Sequence, residues 1–194
     1  MTAKLRIAEI FASIQGEGIW TGTPSTFVRV SGCNLRCVWC DTPYASWSPE
    51  GPTLTIDRIC QEVESHGIEH VVLTGGEPML QVDSPLVDAL HARGFAIGVE
   101  TNGTIAPPQG LDWICVSPKA GADLVVRAGH ELKLVYPQDK AAPEAFAGLA
   151  FERFSLQPMD GPDVIANTAR AIDYCLQHPQ WRLSVQTHKT IGIR

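Results

Sequence analysis

Cys33, Cys37 and Cys40 fall within eight residues at C-x3-C-x2-C spacing, so one loop can fold around one inorganic centre. Thiolates are soft ligands, which points to an iron–sulfur cluster, zinc or Cu(I) and excludes a hard cation at the sulfurs. A structural zinc site is usually closed by four ligands, and an ordinary four-iron cluster is held by four cysteines. Three thiols leave one position open, and an open position invites chemistry. The competing reading is a zinc knuckle that borrows a distant Cys or His. Cys60, Cys115 and Cys175 sit in apolar helix or strand patterns, where free cysteine behaves as a small hydrophobe, and no disulfides are implied.

The elements around this loop must bring other groups to it. Residues 4–14 alternate apolar and polar (Leu5, Ile7, Ile10, Ile14), and Ser25 to Val30 reads as a second strand running straight into the cysteines, with Gln15-Gly16-Glu17-Gly18 as the turn between them. Trp47 to Pro52 reads as an irregular connection. Thr55 is the expected N-cap of a helix carrying Ile56, Ile59, Cys60 and Val63 on one face and closed by Gly67. His70 to Leu73 is an apolar strand of the kind buried on both sides. After Gly75-Gly76-Glu77-Pro78 a helix is expected with Leu80, Val87 and Leu90 inward, stopped by Gly94. Strands follow at Phe95 to Val99, Trp113 to Val116, Glu131 to Val135, Phe154 to Leu156 and Arg182 to Val185. Between them, Ala122 to Arg127 is expected to make a turn or two of helix, Glu144 to Leu149 a short helix, and Ile165, Ala169, Ile172 and Leu176 mark a longer one.

Alternating strands and helices imply a parallel sheet with crossover connections. A complete eight-unit barrel takes about 250 residues, and this chain has 194. The expected fold is α/β: a partial TIM-like barrel of about six parallel strands with an N-terminal hairpin, in a single domain over residues 1–194, without repeats or linkers. In such folds chemistry collects at the carboxyl ends of the strands. The polar clusters lie there: Cys33 to Thr42, Thr74 to Glu77, Glu100 to Asn102, Ser117 to Lys119, Gln157 to Asp160 and Gln186 to Lys189.

Composition narrows the partners. A net charge of −6 without a Lys/Arg run argues against a nucleic-acid footprint and for a small-molecule substrate. No apolar run approaches the ~18 residues of a spanning helix, and Met1 to Arg6 leads into the first strand without an apolar h-region. A cytoplasmic protein, with no membrane partner, is expected.

The cysteine spacing, together with Thr74-Gly75-Gly76-Glu77-Pro78, resembles the radical S-adenosylmethionine (SAM) superfamily, whose fold and [4Fe-4S] cluster are then implied. Glu9-Ile10-Phe11, Ser13-Ile14-Gln15-Gly16-Glu17-Gly18, Phe27-Val28-Arg29, Gly32-Cys33-Asn34-Leu35, Trp39-Cys40-Asp41-Thr42, Ser117-Pro118-Lys119, Gln157-Pro158-Met159-Asp160 and Gln186-Thr187-His188-Lys189 narrow the similarity to the 7-carboxy-7-deazaguanine synthase family, over the whole chain. That resemblance implies a radical ring contraction of 6-carboxy-5,6,7,8-tetrahydropterin with loss of ammonia, in queuosine biosynthesis, using SAM, the cluster and Mg²⁺. It implies that Cys33, Cys37 and Cys40 ligate the cluster and that Thr42 binds Mg²⁺. SAM would lie along Trp39, Cys40, Asp41, Gly76, Glu77, Glu100, Ser117, Pro118, Lys119, Gln157, Pro158, Met159 and Asp160. The pterin would meet Ile14, Gln15, Gly16, Arg29, Thr74 and His188, and the short segment after Lys189 is expected to bring Arg194 beside His188. A homodimer and a flavodoxin or ferredoxin as electron donor are implied as well. The readings set against this one are an activating enzyme that installs a glycyl radical on a partner protein and a zinc-stabilised binding module.

Overall fold

The computed structural model describes residues 4–47 and 51–194. The connection expected from Trp47 to Pro52 therefore lies partly outside the described residues, at 48–50. β1 (Lys4–Ile14) and β2 (Pro24–Val30) form the expected antiparallel hairpin, with Ile14 opposite Pro24 at its tip. Beyond β2 the sheet continues through β4 (His70–Gly75), β5 (Ala96–Thr101), β6 (Trp113–Val116), β7 (Ala128–Tyr136), β8 (Ala150–Pro158) and β9 (Trp181–Leu183), each parallel to the last. These six strands parallel to the hairpin's second arm are those the alternation predicts. One strand was not expected: β3 (Thr53–Thr55) pairs antiparallel with β1 and makes the far edge of the sheet. The sheet thus ends at β3 and β9, which makes it a partial barrel.

Helices cover the outside by burying the stripes that periodicity marks. In α2 (Ile56–Ser65) the Thr55 hydroxyl accepts from the Arg58 N–H, and Ile56, Ile59, Cys60 and Val63 are buried at i, i+3, i+4, i+7. With Leu86, Val87 and Leu90 of α3 (Ser84–His91) they pack on Val28, Val30, Val71, Leu73, Ile97 and Val99. Burying each such aliphatic side chain contributes about 1.5–3 kcal/mol. A second cluster joins β6 to β9 and α4 (Val164–Gln177) around Leu132, Leu134, Leu156, Ala171 and Trp181.

The hairpin tip fills the inside of the curved sheet. Trp20 stacks on His70 at the start of β4 (5.1 Å) and meets Trp113 at the start of β6 edge-on (5.6 Å), while Trp113 stacks on His130 of β7 (4.9 Å). These rings cover the amino ends of the strands and leave the carboxyl ends open.

Five local expectations differ from the structure. Pro78–Leu80 is a separate 3₁₀ turn with Leu80 47% exposed; α3 begins only after Asp83, whose carboxylate accepts from the Leu86 N–H and starts a new helix. Residues 122–127 are irregular, because the Val125 and Val126 N–H groups both donate to the Gly103 carbonyl. The helix near Glu144 is a 3₁₀ turn at Pro143–Ala145. Gln186 to Lys189 is not a plain loop, since α1 (Pro43–Ser46), a short helix after the cysteine loop, is matched by α5 (Thr187–Ile191) at the end of the chain. On α4 the stripe Ile165, Ala169, Ile172, Leu176 faces outward, and Asn167 and Ala171 face the sheet.

Candidate active site

A cavity of about 720 Å³ opens at the carboxyl ends of the strands, within the range of small-molecule sites. It gathers residues from stretches 9–17, 27–47, 74–76, 100–102, 117–119, 133–135, 157–160 and 186–194. Ile14, Gln15, Gly16, Arg29, Thr74, His188 and Arg194 line it, as do Cys33, Cys37, Cys40 and Thr42. Trp39, Asp41, Gly76, Glu100, Ser117, Lys119, Gln157, Pro158 and Asp160 line it too. Glu77, Pro118 and Met159 are not among the lining residues.

Glu77 instead holds the wall together. Fully buried, its carboxylate accepts from the Met79 N–H (3.0 Å), the Thr101 hydroxyl (2.7 Å) and the Asn102 N–H (2.7 Å). Burial pushes its carboxyl up, and those three hydrogen bonds pull it back. Asn102 in turn donates to Asn34 (3.0 Å), which donates to Thr104 (2.8 Å), so the end of β5 is tied to the cysteine loop. The Glu77 N–H donates to the Gly32 carbonyl (2.9 Å), and a Cβ on Gly76 would stand 2.1 Å from that same oxygen. Only glycine fits at 76, which explains the paired glycines before the glutamate.

The three thiols are available to hold an iron–sulfur cluster. All are free and on one cavity wall. Among the described residues no three His, Cys, Asp or Glu side chains gather tightly enough for one metal ion. Cys60 and Cys115 are buried in the core, outside the cavity lining. Burial pushes the Cys33 and Cys37 thiols up, so ligation must displace their protons. Thr42 occupies the N-cap position of α1 without using its hydroxyl as a cap; its oxygen lies 3.8 Å from the Cys40 sulfur. Lys119 sits over the Trp39 ring (5.2 Å) and donates to Ser117 (2.5 Å).

The two ends of the cavity have opposite character. At one, Phe11 and Phe27 stack, and the Arg194 guanidinium lies 4.4 Å and the Arg29 guanidinium 5.9 Å from the Phe11 ring. Glu9 pairs with both arginines, taking Arg29 through Nε at 2.8 Å. Neither Nη of Arg29 has a protein partner among the described residues, so the fork stays available to a bidentate acceptor. At the other end Lys133 of β7, 3% exposed, donates to Glu17 (2.7 Å) and Glu100 (2.8 Å). Burial alone would raise the Glu17 carboxyl, but the Lys133 charge and hydrogen bonds from Lys133 and Gln186 hold it at about 2. Burial raises the Glu100 carboxyl, with Glu17 and Glu131 adding to it against the pull of Lys133. Burial would lower the Lys133 ammonium, yet Glu100 and Glu17 keep it well above the lysine range.

The last helix closes the rim. Lys189 bridges Asp160 (2.7 Å) and Asp41 (3.3 Å), and Gln186 donates to Glu17 (2.8 Å) and Asp41 (3.0 Å). The Thr187 N–H and hydroxyl both donate to the Gly16 carbonyl at 2.9 Å. His188 lies so close over Gly16 that a Cβ there would come within 2.2 Å of its Nδ1. Ser13 donates to the Arg194 carbonyl (2.6 Å), which brings that residue into the lining.

Comparison with known proteins settles the family. The radical SAM superfamily model matches residues 27–134. A 7-carboxy-7-deazaguanine synthase from Bradyrhizobium diazoefficiens is 60% identical over 97% of this chain and 98% of its own length. The chain belongs to the 7-carboxy-7-deazaguanine synthase family. Other members of that family from Caulobacter vibrioides (53% identical) and Bordetella pertussis (50%) each match over 96% of this chain and 98% of their own. A crystal structure of QueE from Escherichia coli matches with a TM-score of 0.78 at 29% identity, covering 94% of each chain. Membership of the radical SAM superfamily implies a [4Fe-4S] cluster and SAM, and the free thiols of the cysteine loop fit that group.

Several lining residues were given no site role from sequence: Glu9, Phe11 and Phe27, which entered only as motif members, and Lys133 and Ile193. For Lys133 a signal existed. A lysine within an otherwise buried strand has to be paired, because a lone buried ammonium is costly.

Proposed function

We propose that the chain is a 7-carboxy-7-deazaguanine synthase, one domain over residues 1–194, that contracts the ring of 6-carboxy-5,6,7,8-tetrahydropterin with loss of ammonia, on the route to queuosine. The observation that carries this reading is the polarity of the cavity beneath the cysteine loop. An available guanidinium fork at one end suits the substrate carboxylate, and an amide donor with carboxylate acceptors at the other suits an aminopyrimidinone. The bound cluster and SAM supply the one-electron chemistry that starts the rearrangement. The residues of the chain bind, orient and exclude water: Arg29 takes the carboxylate, Thr74 opposite it in register flanks the same wall, and Gln15 and the Gly16 backbone read the heterocycle. Trp39, Asp41, Ser117, Lys119, Gln157 and Asp160 line the SAM side, while Glu77 acts from behind the wall through Asn102. The Thr42 hydroxyl, not engaged as a helix cap, would bind Mg²⁺, which takes oxygen ligands and readily shares one from a substrate.

Partners follow from the surface. Val38, 93% exposed between Cys37 and Cys40, leaves the cysteine loop accessible at the surface, which supports a flavodoxin or ferredoxin as electron donor. The outward stripe on α4, with Ile165 85% and Leu176 76% exposed, supports a homodimer. Its 4-3-4 spacing reads the same in both directions, so it matches an antiparallel copy of itself. No helix of the described residues is long and apolar enough to cross a membrane, and the acidic balance suits a cytoplasmic enzyme without nucleic-acid partners.

The test is anaerobic reconstitution followed by turnover of 6-carboxytetrahydropterin with SAM. About four irons per chain, ammonia and a deazaguanine acid are expected, stimulated by Mg²⁺ and by reduced flavodoxin or ferredoxin in place of dithionite, from a species that sediments as a dimer. No pterin turnover, or a glycyl radical on a partner protein, overturns the reading. An unresponsive Mg²⁺, donor or sedimentation arm removes that part alone.

A further inference from the structure

Building on the reading of the cavity as a carboxypterin site, we infer that Lys133 is a positioning residue for substrate recognition, acting through Glu17 on the segment Gln15–Gly16. Its ammonium lies between carboxylates far apart in sequence, Glu17 from the hairpin tip and Glu100 from β5. From Glu17 the chain of contacts continues to the substrate wall. The Glu17 N–H donates to the Gln15 side-chain oxygen at 3.1 Å, which fixes the amide so that its NH₂ end is the one left for a ligand. Gln15 is 6% exposed and lines the cavity.

Glu131, two residues earlier on the same face of β7, shows what a purely structural tie looks like. It accepts from the Ile19 N–H (3.1 Å) and the Ser155 hydroxyl (2.6 Å), is 1% exposed, and does not line the cavity. Lys133 does line it. A buried ion pair is often no better for stability than well-packed apolar side chains of similar volume, so stability alone does not account for an ammonium at this place, and orienting Glu17 does. Glu17, Glu100, Glu131 and the Cys115 thiol surround it, and His188 stands near Glu17. Without the ammonium, Glu17 and Glu100 face each other unshielded and the tip must move.

The experiment compares wild type, Lys133→Met, Lys133→Met/Glu17→Gln and Glu131→Gln as reconstituted holoenzymes. Binding of 6-carboxypterin, an unreactive oxidised analogue, is measured by fluorescence together with KM for the substrate, the SAM dissociation constant and iron content. Lys133→Met should weaken pterin binding, raise KM and lower kcat/KM about a hundredfold, the cost of roughly 1 Å of misplacement, with SAM affinity and iron at wild-type levels. Its pterin binding should recover on acidification, where protonation of one carboxylate relieves the repulsion. The double variant should regain thermal stability without regaining affinity, and carries the test if the single variant does not fold. Glu131→Gln should lower stability and show no such recovery with acid. Wild-type pterin affinity in either Lys133 variant overturns the inference alone; a wild-type chain that binds no carboxypterin overturns the reading beneath it as well.

Discussion

At one end of the cavity two guanidinium groups, Arg29 and Arg194, share the Glu9 carboxylate; at the other, two carboxylates, Glu17 and Glu100, share the Lys133 ammonium. The first trio has a surplus positive charge and the second a surplus negative one. Such a field fixes which way round a polar ligand lies as much as how tightly it binds. The ends also differ in exposure. Arg194 is 64% exposed along its side chain and Lys133 only 3%, whereas Arg29 (16%) and Glu9 (20%) are covered about as well as Glu17 (20%) and Glu100 (23%), so water and salt screen the Arg194 guanidinium most. The open end can adjust to a ligand as it arrives, and the floor is set before it does.

The largest effect should come from removing the cationic end's fork. Each charge-assisted hydrogen bond is worth about 1.5–3 kcal/mol, so two lost with Arg29→Met should lower kcat/KM by on the order of 10²–10⁴. Arg29→Lys, which keeps the charge but not the planar pair of donors, should fall between. The loss should vanish with a tetrahydropterin lacking the carboxylate. If that analogue suffers equally, Arg29 serves the fold and the contrast between the ends fails.

A smaller effect is expected from the exposed partner. Removing Ile193 and Arg194 takes away the guanidinium over Phe11 and the carbonyl held by Ser13, both at the rim. Because that guanidinium is screened, KM for the pterin should rise about tenfold, the value of one modest hydrogen bond, while iron content and SAM affinity hold. Unchanged KM would show that the rim residues only cover the wall.

How much of this was legible in the sequence depends on the range of the interaction. The cysteine loop, the Thr55 cap, the α2 stripe and the six parallel strands are encoded within a few residues of themselves, and all appear where the pattern places them. The Lys133 trio joins residues 116 and 33 positions apart, and no local period announces such a pairing. Periodicity found α4 but could not say which face would turn inward: the sheet takes the side bearing Asn167, whose amide donates to the Met159 carbonyl at 3.0 Å, and leaves the isoleucines outside. Leu80 misled for a different reason. Asp83 starts a helix of its own, and a cap outranks a continued stripe.

The subtlest consequence lies within the acidic end, where two carboxylates on one ammonium should leave opposite marks on stability. Glu17 has its carboxyl held at about 2 against an ordinary 4.5, so its contribution is present above pH ~4.5 and is lost as pH falls toward 2. Glu100 is displaced upward. Its ionised form burdens the fold above that raised value, and acidification toward 4.5 relieves the burden. Lowering the pH from neutral should therefore first raise the thermal midpoint through Glu100 and then lower it through Glu17. Differences of several degrees are expected, since about 1 kcal/mol moves the midpoint of a domain this size by about 2–4 °C. Glu100→Gln should remove the initial rise, and Glu17→Gln should flatten the acid limb. Thermal melts of the three proteins across the acid range decide it: parallel curves would mean that Lys133 does not distinguish its two partners, and that the asymmetry read from their surroundings is wrong.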